Sequence, residues 1–206
     1  MTKSSRSRVG SVERQTRETQ IKVSLDLDGG QRKIDVPGGF FGHMLDALTT
    51  HSGLGIDLQA TGDTHVDLHH TVEDVGICLG EALVQALGDR RGITRFADAY
   101  APLDEALARA VVDISGRGFF VYQVPPELEH TWVTQDFPLS LIADFFQAFA
   151  DRGRFTLHVD VLRARNGHHA AEAAFKAVAV ALRRAVALRP DAGSADVPST
   201  KGTLTV

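Results

Sequence analysis

Two stretches about a hundred residues apart limit what this chain can fold into: His69-His70-Thr71-Val72-Glu73 and His168-His169-Ala170-Ala171-Glu172. Each is a His-His pair followed by a carboxylate. Each opens a run, DVGICLGEALVQAL or AAFKAVAVALRRAV, in which apolar residues return at three- and four-residue intervals, the period of a helix. On a helix His69 and Glu73 share a face, as do His168 and Glu172. His70 and His169 lie roughly 100° round from their neighbours at about 3.6 residues per turn. Each segment therefore offers ligands in two directions, which suits two metal ions better than one. Upstream, GHMLDAL matches ADFFQAF, and His43 precedes His69 by 26 residues as Asp144 precedes His168 by 24. The chain reads as an internal duplication with two sites related by pseudo-symmetry.

The rest of the sequence divides around that repeat. Residues 1–10 are expected to form a flexible tail, 11–92 the first half-repeat, 93–190 the second, and 191–206 an irregular Gly/Ser/Pro-rich tail, within one compact domain. Alternation in the second half of Arg14–Leu27 predicts a strand, and Gly29-Gly30 a hairpin turn into a second strand, QRKIDV. After Pro37-Gly38-Gly39, a helix begins with His43 near its N-terminal end and Met44, Leu45 and Leu48 facing a sheet. Gly55 to His70 is expected to form another hairpin, turning at Thr61-Gly62-Asp63. The first His-His helix then ends at Gly88. In the second half, ALARAVVDIS and GFFVYQV read as strands split at Gly116-Arg117-Gly118, Pro125 to Pro138 as a loop, SLIADFFQAFADRG as a helix and FTLHVDVLRARN as strand.

Bulk properties exclude several classes. A net charge of −4 gives no basic field of the kind nucleic-acid binders carry. No apolar run approaches the roughly 18–20 residues that span a membrane, and MTKSSRSRVG lacks the apolar segment of a secretion signal. One cysteine, Cys78, forbids an intramolecular disulfide, fits a reducing cytoplasm, and reads as a small buried hydrophobe. Nine His are present, four of them in the two paired motifs. Imidazole and carboxylate ligands without thiolate suit Mn, Fe, Co, Ni or Zn.

In order, FGHML, HHTVED, LDEALARAVVDISGR, HHAAEAAFKA and VPSTKG resemble imidazoleglycerol-phosphate dehydratase from about Arg14 to Leu204. The resemblance implies an α+β fold of two similar halves, each a four-stranded sheet backed by helices. It implies a cytoplasmic enzyme of histidine biosynthesis that converts imidazole glycerol phosphate to imidazole acetol phosphate through a metal-bound imidazolate. It further implies a homo-oligomer of cubic symmetry, a 24-mer, with sites completed at subunit contacts and two Mn²⁺ per site. His43, His69, His70, Glu73, Asp144, His168, His169 and Glu172 fall at the family's ligand positions. Arg95, Arg117, Ser199 and Lys201 fall at its phosphate-binding positions, Glu18 at a glutamate that reaches the active site, and His51 beside the substrate.

Two positions depart from the family pattern. Gly42 stands where Asp is usual, and Asp144 where many members carry His. Either Asp144 is a substitute ligand or that site is filled from elsewhere, for instance by His130. In Asp104-Glu105, adjacent residues on an extended segment point opposite ways, so one of them is read as structural or as a support for the ligands. Two other classes stand beside the dehydratase: a metal hydrolase, which lacks an HExxH-like arrangement, and a metal-clamped assembly without catalysis.

Overall fold

The polar–apolar alternation near the N-terminus resolves into two strands, β1 (Val9–Gln15) and β2 (Thr19–Asp26), paired antiparallel. In the computed structural model, which describes residues 7–190 and 196–204, β1 thus starts two residues inside the expected tail. β3 (Arg32–Asp35) does not close a hairpin on β2. It pairs parallel with β4 (Gly55–Gly62), and the sheet order is β1-β2-β4-β3. Gly29 and Gly30, both at positive φ, lead the backbone across the start of β4, where a Cβ on Gly55 would lie 2.8 Å from the Gly29 carbonyl oxygen. β4 is likewise a single strand rather than a hairpin, because the turn-forming residues after Gly62 lead straight into a helix.

Helices α1 (Gly39–Ser52) and α2 (His69–Leu87) complete the first half, and α2 ends at Gly88 as its periodicity predicts. The second half repeats the plan. β5 (Phe96–Leu103), β6 (Ala106–Asp113), β7 (Phe119–Gln123) and β10 (Thr156–Arg163) form a sheet in the order β5-β6-β10-β7, with the same antiparallel, antiparallel and parallel pairings. Helices α3 (Leu141–Gly153) and α4 (Gly167–Val186) back it. β5 is unexpected from its sequence, FADAYAPL. Its inward side chains are small alanines, and its Pro102 is tolerated because the strand lies at a sheet edge. The expected loop holds a short ribbon, β8 (Trp132–Thr134) with β9 (Phe137–Pro138).

The architecture is therefore the expected one: two four-stranded sheets, each backed by helices. The halves meet through helices that cross the repeat boundary, α1 against α4 and α2 against α3, and one apolar core runs through both. Phe145, Phe146, Phe149 and Phe175 pack there, the closest rings (Phe146 and Phe175) having centroids 4.6 Å apart. Each such fully buried ring contributes about 1.5–3 kcal/mol. Close approach of α2 to α3 depends on Gly76 and Gly80: a Cβ on either would lie 2.6 Å from the α3 backbone, at Phe145 O or Gly153 N. Cys78 lies buried on the same helix, and burial pushes its thiol pKa to about 12. No helix among the described residues is long and apolar enough to cross a membrane.

Candidate active site

Both His-His pairs sit in the first turn of their helix, fixed by an acceptor just upstream. Asp67 accepts from the His69 backbone N–H at 2.8 Å. Asn166 caps α4, accepting from the N–H groups of His168 and His169 at 2.8 and 3.4 Å. The crossing helices then bring ligands from opposite halves together. His43, on α1, points its Nε2 at Glu172 Oε2 (3.3 Å), and His168 Nε2 is 3.4 Å from the same oxygen. One donor atom from each of the three lies within 4.8 Å of the others, a spacing that could hold a metal ion. Phe40 packs edge-on against His168 and limits its movement.

Pseudo-symmetry generates the second cluster. Asp144, on α3, lies 3.4 Å from His69 Nδ1, and Glu73 is 4.0 Å from His69 Nε2. Here the two carboxylates address different ring nitrogens, so the group is looser than its counterpart. His130 is exposed and joins neither cluster. At Gly42 a Cβ would meet only Val36, at 3.6 Å, so packing does not require a glycine.

Lys176, one turn beyond Glu172, binds its Oε1 at 2.6 Å. Burial tends to raise the Glu172 pKa, but hydrogen bonds from Lys176 and His43 outweigh it and hold the carboxylate below its ordinary value. That keeps Glu172 ionised and ready to accept a cation. Lys176 is absent from the motif-based set of candidates, although its i,i+4 spacing from Glu172 is visible in the sequence.

The second His of each pair turns away from these clusters. His70 Nδ1 is 3.0 Å from Asp63, which raises its pKa, and His169 Nδ1 is 2.8 Å from Glu105. Glu18, in the β1–β2 turn, stands 4.0 Å from His70 Nε2 with its side chain 54% exposed. Asp63 carries no sequence signal, being a turn residue among others. His51 lies further along α1, where burial, and then the charge of Lys176, lower its pKa.

The phosphate candidates occupy another region. Arg95, at φ 82, forms a bidentate pair with Asp113 and donates to Pro198 O at 2.8 Å, which ties it to the C-terminal segment. Ser199 Oγ accepts from the Lys201 N–H in a turn that ends at Gly202, and Arg117 is exposed next to Gly116, which packs against the Leu204 carbonyl. Leu204 is held from below, its carbonyl accepting from Arg90. The Arg95 N–H bonds Ala185 O at the far end of α4. At 1.5 Å per residue, that end lies about 25 Å from His168. A cleft of about 540 Å³ opens beside His69, walled by Val66, Leu68, Trp132 and Leu141. Trp132 carries no readable signal in the sequence.

This arrangement matches known proteins across nearly its whole length. The family model described as imidazoleglycerol-phosphate dehydratase matches residues 37–182. The chain belongs to this family. It is accordingly an enzyme, a dehydratase of histidine biosynthesis. Imidazoleglycerol-phosphate dehydratase of Acidiphilium cryptum is 52% identical over 96% of this chain and all of its own length. That of Cereibacter sphaeroides is 50% identical with the same coverage. Among solved structures, the Staphylococcus aureus enzyme superposes with a TM-score of 0.78 at 35% identity, covering 88% of this chain and 99% of its own. The Pyrococcus furiosus enzyme, in complex with (S)-C348, gives 0.79 at 35% identity, covering 93% and 99%.

Proposed function

We propose that the chain dehydrates imidazole glycerol phosphate to imidazole acetol phosphate, that it depends on Mn²⁺, and that it works as a large cytoplasmic homo-oligomer. The observation that carries the reading is the cluster of His43, His168 and Glu172, spaced to hold a metal ion, with its looser pseudo-symmetric counterpart at His69, Glu73 and Asp144, each built from one helix of either half. Their donors fit a divalent ion of intermediate hardness. His43, His168 and Glu172 would hold one ion, and His69, Glu73 and Asp144 the other. Bound cations would supply Lewis acidity at the imidazole nitrogens, so that the ring can accept the electron pair released when the C–H bond next to it is broken.

The protein's own residues do the rest. Glu18 is the candidate base for the carbon-bound proton: its side chain is exposed and stands 4.0 Å from His70 Nε2. Arg95, Arg117, Ser199 and Lys201 would bind the phosphate, Arg117 through its guanidinium fork and Arg95, whose fork already meets Asp113, through its remaining N–H donors. His51, on α1 beside Lys176, is the candidate to protonate the departing hydroxyl, which then leaves as water.

The distances within one copy argue for assembly. A phosphorylated three-carbon imidazole spans at most about 10 Å at ~1.5 Å per bond. Arg95 and the α1–α4 cluster of one copy are separated by about 25 Å along α4. A single substrate would therefore draw on more than one copy, with His70 and His169 turned outward to complete a neighbour's cluster.

Turnover of imidazole glycerol phosphate by metal-stripped protein, with and without Mn²⁺, tests the reaction. Restored dehydration is expected. Phosphate release would instead favour a hydrolase, and assembly without turnover a structural role. Glu18→Gln is expected to lower kcat by about 10²–10⁴-fold; near-normal turnover would remove Glu18 from the mechanism.

A further inference from the structure

The repeat puts a glutamate in the same place twice. Glu18 immediately precedes β2 and Glu105 immediately precedes β6, strands of eight residues that occupy equivalent sheet positions. Their surroundings differ. Leu103 and Ala106 pair directly across a two-residue turn, with Asp104 at φ 46. Asx residues tolerate this left-handed conformation. In the first half Gln15 pairs with Gln20, which leaves a four-residue turn closed by Thr16, whose hydroxyl accepts from the N–H groups of Glu18 and Thr19.

The shorter turn holds Glu105 against the protein. Its Oε2 lies 2.8 Å from His169 Nδ1 and its Oε1 accepts from the Arg165 N–H at 3.2 Å, so both oxygens are engaged. The His169 hydrogen bond is the main reason its pKa falls to about 2. Glu18, two turn residues further out, leaves His70 Nδ1 to another group. That group is Asp63, immediately after β4, and the matching position after β10 is Ala164.

We propose that Glu105 and Asp63 are positioning residues with one task, fixing the tautomer of His169 and His70 so that each Nε2 is the metal-binding atom, and that Asp63 thereby releases Glu18 for proton transfer. The proposal rests on the metal reading above. A carboxylate on Nδ1–H fixes ring orientation and raises the basicity of the opposite nitrogen, and removing such a partner typically weakens metal binding about 10–100-fold. Each half keeps one such carboxylate, supplied from a different strand end. Among the described residues, the first half has a second one left over, Glu18, where the second half has Ala164 in place of Asp63.

The test is Mn²⁺ binding to the full-length assembled protein, followed by the EPR signal of free Mn²⁺, with thermal melting of each metal-free variant alongside. Glu105→Ala is expected to weaken one class of Mn²⁺ by about 10–100-fold and to leave the other class at its original affinity, and Asp63→Ala the reverse. Glu105→Gln, which keeps an acceptor oxygen, should recover part of the loss, and it serves if the alanine variant does not fold. Glu18→Ala should leave both classes unchanged while abolishing turnover. Unchanged binding in Glu105→Ala, or equal weakening of both classes, would overturn the proposal, as would Glu18→Ala weakening Mn²⁺ like Glu105→Ala. Absence of Mn²⁺ binding by the unsubstituted protein would instead overturn the metal reading itself.

Discussion

The two clusters descend from one plan and differ in how tightly they are built. At the α1–α4 seam, Glu172 receives His43, His168 and Lys176 on two oxygens, and its side chain is 15% exposed. At the α2–α3 seam, Glu73 is half exposed, with His69 as its neighbour at 4.0 Å, and Asp144 reaches the other side of the same imidazole. Duplication thus preserved the topology and let the chemistry drift apart. Pseudo-symmetry predicts where ligands stand but not how firmly they are held. A preorganised donor set loses less freedom on binding, so the α1–α4 cluster is expected to bind the tighter ion.

The sharpest way to break this comparison is to remove the same atom from both sides. Glu172→Gln is expected to abolish one tight equivalent of metal and to lower turnover by at least about 10³-fold, in line with the several kcal/mol a Lewis acid contributes. Glu73→Gln is expected to cost clearly less in metal affinity. Titration of both variants with Mn²⁺ decides it. Equal losses would mean that the looser geometry of the α2–α3 cluster tightens fully on binding, and the contrast would vanish.

Much of this is legible in the sequence, for a local reason. The helices, the ends of α2, and the pairing of His43 with Asp144 as equivalents follow from periodicity and spacing, which are written into short windows of residues. The edge placement of β3, the existence of β5 and the ribbon in the 125–138 segment do not follow. β3 pairs with β4 rather than β2 through a crossing at Gly29-Gly30, and β5 hides behind alanines and an edge proline. The site shows the same division. The ligand types can be read from the motifs, whereas the exchange of partners between halves, His43 with Glu172 and Asp144 with His69, arises only when α1 packs on α4 and α2 on α3. Asp63 and Glu105 gain their meaning from the same tertiary approach.

A methyl group at the α2–α3 seam tests whether that approach sets the weaker cluster. The Cβ of Gly76→Ala would fall 2.6 Å from Phe145 O, a backbone atom that cannot turn aside. Overpacking of this kind costs typically 1–3 kcal/mol, and a fall of that size in folding stability should be visible by denaturant unfolding. Because Asp144 is the residue before Phe145, the displaced helix should also move it away from His69. Metal affinity at the α2–α3 cluster should drop while the α1–α4 cluster, with α4 residues Phe175 and Ala179 at the equivalent helix positions, keeps its own. A variant that lost stability without this selectivity would uncouple the seam from the ligands.

The smallest expected effect addresses the departure at position 144 directly. Asp144→His restores an imidazole where the pseudo-symmetric position has His43, and so gives the looser cluster the donor set of the tighter one. The longer ring can present a nitrogen without its helix moving, and it replaces an acidic neighbour that also competes for His69. Binding of Mn²⁺ at this cluster is expected to tighten about tenfold, or ~1.4 kcal/mol, with a larger gain for Zn²⁺ or Co²⁺, since imidazole favours the softer ions over the hard-oxygen preference of a carboxylate. Competition titrations with the three metals read the shift directly. If Asp144→His leaves the Mn²⁺ affinity and the metal order unchanged, Asp144 is not a ligand, and the cluster takes its third donor from another copy of the protein.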